Sequence, residues 1–127
     1  SSVAGRLTGV TDARRRIGAI IDGNFAADQF APQAVSAWLA FWAQVPHSPA
    51  LARLQRINAR RLQSNLRHAF RQILPAATAG SAAQGLGALI DGLWLQGALT
   101  PGGIGADAAR GLATAYVDSL LDEGKPT

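Results

Sequence analysis

Residues 85–95 of the chain read Gly85-Leu86-Gly87-Ala88-Leu89-Ile90-Asp91-Gly92-Leu93-Trp94-Leu95. Leucine and isoleucine recur in this run at helical spacing and form one apolar stripe, which predicts a helix. A second face of that helix carries mostly small residues, namely Gly85, Ala88, Gly92 and Leu95. Glycine inside a helix costs about 1 kcal/mol relative to alanine, and it commonly allows another backbone to approach closely. We therefore expect a second helix to pack on this small-residue face.

The rest of the chain has the same helical periodicity, and no alternating β-branched run indicates a strand. We predict an all-α fold of about five helices, with bounds set by prolines and N-cap residues. The expected spans are Asp12 to about Phe30, Pro32 to Pro46, Ser48 to Pro75, about Thr78 to Leu99, and Ala106 to about Asp122. Residues 1–10 are expected to be the end of a preceding linker helix. In the last helix we expect Leu112, Tyr116 and Leu120 to point inward.

The 127 residues suit a single domain that can bury most of its apolar surface, so we treat residues 1–127 as one unit. The absence of cysteine excludes disulfides and thiolate metal sites. No apolar run approaches the length needed to span a bilayer. We therefore expect a soluble, cytoplasmic protein. The lack of an initiator methionine suggests processing or a fragment of a longer protein.

Basic residues are concentrated in one segment. The net charge is +4, and residues 48–74 contain six arginines and no acidic residue. Five of these arginines share one sector of a helical wheel and face away from Leu51, Leu62, Leu66 and Ile73. We call them the arginine stripe: Arg53, Arg56, Arg60, Arg67 and Arg71. Such a stripe is usually solvated surface, although an acidic partner or a phosphate backbone is an alternative.

Three of the eight aromatic residues lie in the run Trp38-Leu39-Ala40-Phe41-Trp42, where the two tryptophans share one helix face. Indole faces are the strongest side-chain partners for cations, so the pair could bind a quaternary ammonium ligand if it faces a cavity. If it faces tight packing, it is part of the core. Polar residues also interrupt the apolar stripes, and they are either satisfied structurally or line a wet cavity. These residues are Asn24, Asp28, Asn58 and Asn65.

Signals for catalysis are poor. His47 and His68 are separated and form no HExxH motif, and no GxSxG motif is present. The glycine-rich run 102–105 lacks the lysine and the serine or threonine of a phosphate-binding loop. We expect no enzyme activity, no metal site and no cofactor.

Four blocks of the sequence resemble one family when they are taken together. They are IDGNF at 21–25, AWLAFWA at 37–43, RRLQSNL at 60–66 and GLGALIDGLWL at 85–95. In this order and spacing they are similar to the carboxy-terminal domain of the BetI-type repressors, the choline-responsive members of the TetR class. The resemblance extends over about residues 5–122. The last block alone recurs in many TetR-class regulators, so the combination carries the resemblance.

The resemblance implies a homodimer in which the last two helices form an intersubunit four-helix bundle and the preceding helices surround an effector pocket. It also implies a helix-turn-helix domain ahead of this region, which reads a palindromic operator. These 127 residues contain no such segment, so we expect operator binding only through the parent protein. That protein would repress genes that convert choline to glycine betaine, and no membrane partner is implied.

Given a quaternary ammonium effector, positions on the helical wheels suggest the residues that contact it. The candidates for the cation cage are Trp38 and Trp42, with Trp94 or Phe25. Asp28 or Asp91 could add a carboxylate, and Asn24, Asn58 or Asn65 could hydrogen-bond the choline hydroxyl.

The candidates for the dimer interface are Gly85, Ala88, Gly92, Leu95, Leu112, Tyr116, Val117 and Leu120, and packing within one chain is the alternative for this face. Choline and betaine aldehyde are both retained as effectors. A different function, a stand-alone helical interaction module that uses the arginine stripe, is also retained.

Overall fold

A computed structural model describes residues 3–26 and 30–123 of the chain. These residues form five α-helices, with no strand in either described range. The helices are α1 (Val3–Asn24), α2 (Pro32–Gln44), α3 (Pro49–Phe70), α4 (Ala76–Leu99) and α5 (Ala106–Glu123), and a 3-10 turn (Val45–His47) follows α2. The all-α fold of five helices is therefore confirmed.

Helix starts follow the prolines and capping residues of the sequence. Pro32 opens α2, and the Ser48 Oγ accepts a hydrogen bond from the backbone N–H of Leu51 at 3.3 Å at the start of α3. This bond satisfies one of the backbone donors that have no partner in the first turn. Pro75 lies at the N-cap of α4, since a turn already ends α3 after Phe70.

The predicted bounds of the first helix are wrong at both ends. The structure has one helix from Val3 to Asn24, so Asp12 lies in its interior rather than at its start. The residues of α1 before Asp12 contain no proline, and the two glycines Gly5 and Gly9 are tolerated within the helix. The helix ends before Phe30, because Phe25 lies in a turn in which its N–H contacts the carbonyls of Ile21 and Asp22.

One hydrophobic core joins all five helices, and α4 packs against α2, α3 and α5. The largest fully buried side chains are Phe25, Phe70, Ile17, Ile21, Leu66, Leu86 and Ile90. Helix α5 contributes Ala109, Ala113 and Val117, whose small side chains let it approach the core closely. Leu112 was expected to point inward, but it is 54% exposed because it lies off that stripe.

Side-chain bonds fix the directions of the helices. The Arg110 Nη1 donates to the Phe25 carbonyl at 3.0 Å, and Arg14 lies 3.7 Å from Asp118, so α1 and α5 run antiparallel. The Gln63 amide donates to the Ala83 carbonyl at 2.9 Å and ties α3 to α4. Within the described ranges, none of the helices is long and apolar enough to cross a membrane.

The arginine stripe lies on the outer surface of α3. All five of its arginines are exposed, as predicted, while Leu66 on the opposite face is buried. The stripe is therefore a solvated helix face of this chain.

Candidate functional site

A cavity of about 420 Å³ opens between the end of α1 and the middle parts of α2, α3 and α4. Its volume lies within the range of about 300–1,000 Å³ that is typical of small-molecule sites. We call it the main cavity. Six of the candidate residues from the sequence line it: Asn24, Trp38, Trp42, Asn58, Asp91 and Trp94. They come from four different helices, so the fold brings together residues up to 70 positions apart in the chain.

The three tryptophans of the chain meet at this cavity. Trp38 packs edge-on against Trp94, with ring centroids 6.2 Å apart and an interplanar angle of 79°. Trp38 also packs edge-on against Phe41 at 5.5 Å, yet it remains 42% exposed. Edge-to-face packing leaves part of an indole face free for another contact. Trp42 lies one turn after Trp38 and lines the same wall.

Hydrogen bonds hold Trp94 and Asn24 in place. The Trp94 Nε1–H donates to the Asn24 backbone carbonyl at 3.2 Å, and the Asn24 side-chain amide donates to the Ile20 carbonyl at 2.8 Å. One N–H of the Asn24 side-chain amide is therefore used, and the side-chain oxygen of this cavity-lining residue remains available as an acceptor. This oxygen is suited to a hydroxyl donor.

Asp91 is the acidic group of the main cavity, and no lysine or arginine lines it. Among the residues that the structure describes, no cation lies within ion-pairing distance of the Asp91 carboxylate. Its side chain keeps access to solvent, but burial between the helices raises its pKa above the ordinary value. The cavity therefore combines aromatic rings with an uncompensated carboxylate, an environment that attracts cations.

A second cavity of about 350 Å³ adjoins the first, and we call it the side cavity. It shares Trp42, Gln55 and Asp91 with the main cavity. Its other lining residues are Val45, Gly92 and Leu95. Open space surrounds Gly92, since a Cβ built there meets no atom within 4 Å.

Two of the predicted pocket residues that the structure describes, Phe25 and Asn65, do not line the main cavity. Phe25 is fully buried and packs edge-on against Phe30, with ring centroids 5.2 Å apart, so it belongs to the core. Asn65 is exposed on α3 and lies nearly two turns beyond Asn58, outside both cavities. Asp28 lies outside the described residues.

Sequence reasoning missed Gln55 and Gln63, which both line the main cavity. Gln55, Asn58 and Leu62 recur at helical spacing and line one wall, so the wheel position of Gln55 was a usable signal. Gln63 packs against Gly87, and a Cβ at position 87 would overlap the side-chain amide of Gln63. The close approach allowed by Gly87 is thus to a side chain of α3.

The predicted interface residues divide into three groups. Ala88, Gly92 and Leu95 border the two cavities, so this part of α4 faces open space rather than another helix of this chain. Gly85 contacts the Tyr116 hydroxyl within the chain, and Leu120 is partly buried against the core.

Val117 lies on the buried stripe of α5 and is only 6% exposed, so little of its side chain is available to a partner. Leu112 is free to meet a partner. Across the described residues, no group of three or more histidines or acids could hold a metal ion.

Comparison with known proteins identifies the family to which this fold belongs. The profile of the family described as "BetI-type transcriptional repressor, C-terminal" matches residues 13–122. The regulator BetI 2 of Chromohalobacter salexigens is 52% identical over 122 residues, which are 94% of this chain and 59% of that protein. The BetI regulator of Burkholderia cenocepacia is 49% identical over 116 residues, which are 91% of this chain and 60% of that protein.

A solved structure described as a transcriptional regulator from Pseudomonas aeruginosa PAO1 has the same fold. It superposes with a TM-score of 0.67 and 27% sequence identity, covering 92% of this chain and 66% of that one. The chain thus spans about three fifths of the length of the BetI regulators that it matches. The family is one of transcriptional regulators and not of enzymes. The chain belongs to the TetR-class family of BetI-type transcriptional repressor C-terminal domains.

Proposed function

We propose that this chain is the effector-binding and dimerisation domain of a repressor that controls the conversion of choline to glycine betaine. Choline, or betaine aldehyde, binds in the main cavity and relieves operator binding by the parent protein. The observation that carries the proposal is the meeting of three tryptophans with the Asp91 carboxylate in a cavity without a basic residue.

The chemistry of the cavity matches a small quaternary ammonium ion. Such an ion cannot donate hydrogen bonds from its nitrogen, so it is recognised by aromatic faces and by opposite charge. Trp38, Trp42 and Trp94 supply the faces, and Asp91 supplies the charge. The side-chain oxygen of Asn24 accepts the hydroxyl hydrogen of choline, which distinguishes choline from ligands without a donor.

Release from the operator follows from linkage. The parent protein has one arrangement that fits the operator and another in which its recognition helices are misplaced. An effector that binds the second arrangement more tightly lowers the affinity of the parent protein for the operator. The size of this effect cannot exceed the difference between the effector's affinities for the two arrangements. The names of the matched relatives include a helix-turn-helix, and those relatives are longer than this chain, which supports a DNA-binding segment in the parent protein.

The dimer uses the surfaces of α4 and α5. Leu99 at the end of α4 is 68% exposed, and Leu112 on α5 is also exposed. Apolar side chains with this exposure are commonly covered in an interface when they lie close together on a flat helix pair. A four-helix bundle between two copies would cover them.

Calorimetric titration with choline tests the effector site. Loss of one desolvated indole contact of about 2 kcal/mol should weaken binding about 30-fold in the Trp42→Leu variant. The matched control is Phe41→Leu, which removes a neighbouring aromatic ring that lines neither the main nor the side cavity. The proposal would be refuted if Trp42→Leu bound choline as tightly as the unsubstituted chain does. An equal loss of choline affinity in Trp42→Leu and Phe41→Leu would also refute it.

A further inference from the structure

The main and side cavities adjoin each other and share part of their walls. They share three lining residues, Trp42, Gln55 and Asp91, so the carboxylate stands at their junction. A ligand cation placed beside Asp91 therefore has access to both compartments. The volume of the side cavity, about 350 Å³, is comparable to that of the main cavity.

The two compartments differ in chemistry. The main cavity has polar groups of its own, among them Asn24, Asn58 and Gln63. The residues that belong to the side cavity alone are Val45, Gly92 and Leu95, and none of them carries a polar side chain. Leu95 is 42% exposed there, so its apolar surface meets water while the compartment is empty.

We propose that the side cavity binds an apolar substituent of an organic cation whose charged head lies in the main cavity. The inference rests on the proposed function, because Asp91 and the tryptophans hold the head. The ligand class is a quaternary ammonium ion with an alkyl or acyl chain, such as an O-acylcholine or an alkyltrimethylammonium ion. The chain leaves the head at the Asp91 junction and covers Leu95 and Val45.

Burial of methylene groups sets the expected gain in affinity. A fully buried methylene contributes about fourfold in binding, and a groove that covers one side of the chain contributes about half of that free energy, or about twofold per methylene. A hexyl chain adds five methylenes to a methyl group, so hexyltrimethylammonium should bind about 30-fold more tightly than tetramethylammonium. The corresponding neutral alcohol, hexanol, should not compete because it lacks the charge.

Substitution of Gly92 tests the side cavity independently of the main cavity. It lines the side cavity alone, and a Cβ there meets no atom within 4 Å, so Gly92→Val fits the helix and fills the compartment. Valine has a helix propensity no worse than that of glycine. The matched control is Gly80→Val, the same substitution on the same helix, at a position where a Cβ also meets no atom within 4 Å and which lines neither cavity.

Calorimetric titration of the 127-residue chain with tetramethylammonium, hexyltrimethylammonium and choline is the test. We expect the preference of about 30-fold for the hexyl ligand to fall to about threefold or less in Gly92→Val and to persist in Gly80→Val. Circular dichroism melts and sedimentation equilibrium of each variant establish that fold and association state are unchanged.

The outcomes distinguish the two proposals. If choline binds but the hexyl chain adds no affinity, or if Gly92→Val keeps the full preference, the side-cavity assignment is overturned and the effector site stands. If neither choline nor tetramethylammonium binds, the effector site itself is wrong and the side-cavity assignment falls with it. If the preference for the hexyl ligand is lost in Gly92→Val and kept in the control variant, both the effector site and the side-cavity assignment are supported.

Discussion

Replacement of Asp91 by asparagine removes the charge of the cavity while keeping the size of the side chain. Two unit charges about 4 Å apart interact by about 4 kcal/mol at an effective dielectric constant of 20. Asp91 keeps access to solvent at the cavity, which screens the attraction, so about 1–2 kcal/mol should remain for a bound cation. Choline affinity should therefore fall about 5- to 30-fold in Asp91→Asn.

The same substitution has an opposite effect on the ligand-free protein. Burial raises the pKa of Asp91 in the folded state above its unfolded value, so the folded chain holds the proton to higher pH. Above the folded pKa, the ionised carboxylate lowers the free energy of unfolding, and this penalty disappears as the pH falls below the unfolded pKa. The Asp91→Asn variant should have a higher free energy of unfolding than the unsubstituted chain at neutral pH, and this difference should shrink on acidification.

Calorimetry with choline and thermal melts at two pH values measure both effects. Choline affinity of the parent should decrease as the pH falls through the raised pKa of Asp91, because the protonated carboxyl no longer attracts a cation. The affinity of Asp91→Asn should not follow this change. Asp22→Asn is the control, since Asp22 is exposed on α1 and lines neither cavity. Identical losses of affinity in both variants would show that net charge, not the cavity carboxylate, is responsible.

Three further substitutions test the packing and the interface. Gly97→Ala should lower the unfolding free energy by about 1 kcal/mol in urea titrations, because the added Cβ would lie 3.2 Å from the buried Phe30 ring and this overpacking exceeds the gain in helix propensity; greater stability would contradict it. Ser48→Ala should lower it by about 1 kcal/mol by removing the α3 cap, and an unchanged urea midpoint would count against the cap. Leu112→Glu should dissociate the proposed dimer in sedimentation equilibrium, whereas Leu54→Glu, on α3, should not; an intact Leu112→Glu dimer argues against an α5 interface.

The sequence predicts helices best where a residue has only one structural use. Proline at the first position of a helix loses no hydrogen bond, and Ser48 offers an oxygen to the first turn, so α2 and α3 begin where expected. Asp12 was assigned to a helix start on the same reasoning, but an aspartate also tolerates an exposed interior position. The neighbouring turns decide between the two uses, and here the helix continues through it.

The candidate site was predictable in its residue types and only partly in its members. Helical wheels place Asn24 and Phe25 on adjacent sides of α1, but they do not give the depth of packing. In the structure, Asn24 reaches the cavity, while Phe25 is enclosed with Phe30 in the core. A helix also carries one face past several neighbours, so Asn65 has left the cavity that Asn58 borders. Tertiary packing decides these cases.

The small-residue face of α4 shows the same limit for the predicted interface. Small residues at helical spacing indicate room, and the periodicity does not say what occupies it. Around Gly85 the room is taken by Tyr116, and beside Gly92 it is open, while Gly87, outside that face, gives room to Gln63. One sequence pattern thus serves helix packing, side-chain packing and a cavity wall along a single helix.

The hydrogen bond between the Trp94 indole and the Asn24 carbonyl lies at one end of the long helix α1. Helix α1 has 22 residues, and at about 1.5 Å per residue it is about 33 Å long. Each degree of tilt about Asn24 therefore displaces the Val3 end by about 0.6 Å. A tilt of about 5° about Asn24 would therefore displace the far end of α1 by about 3 Å, a distance comparable to a hydrogen bond, without any change in the helix itself.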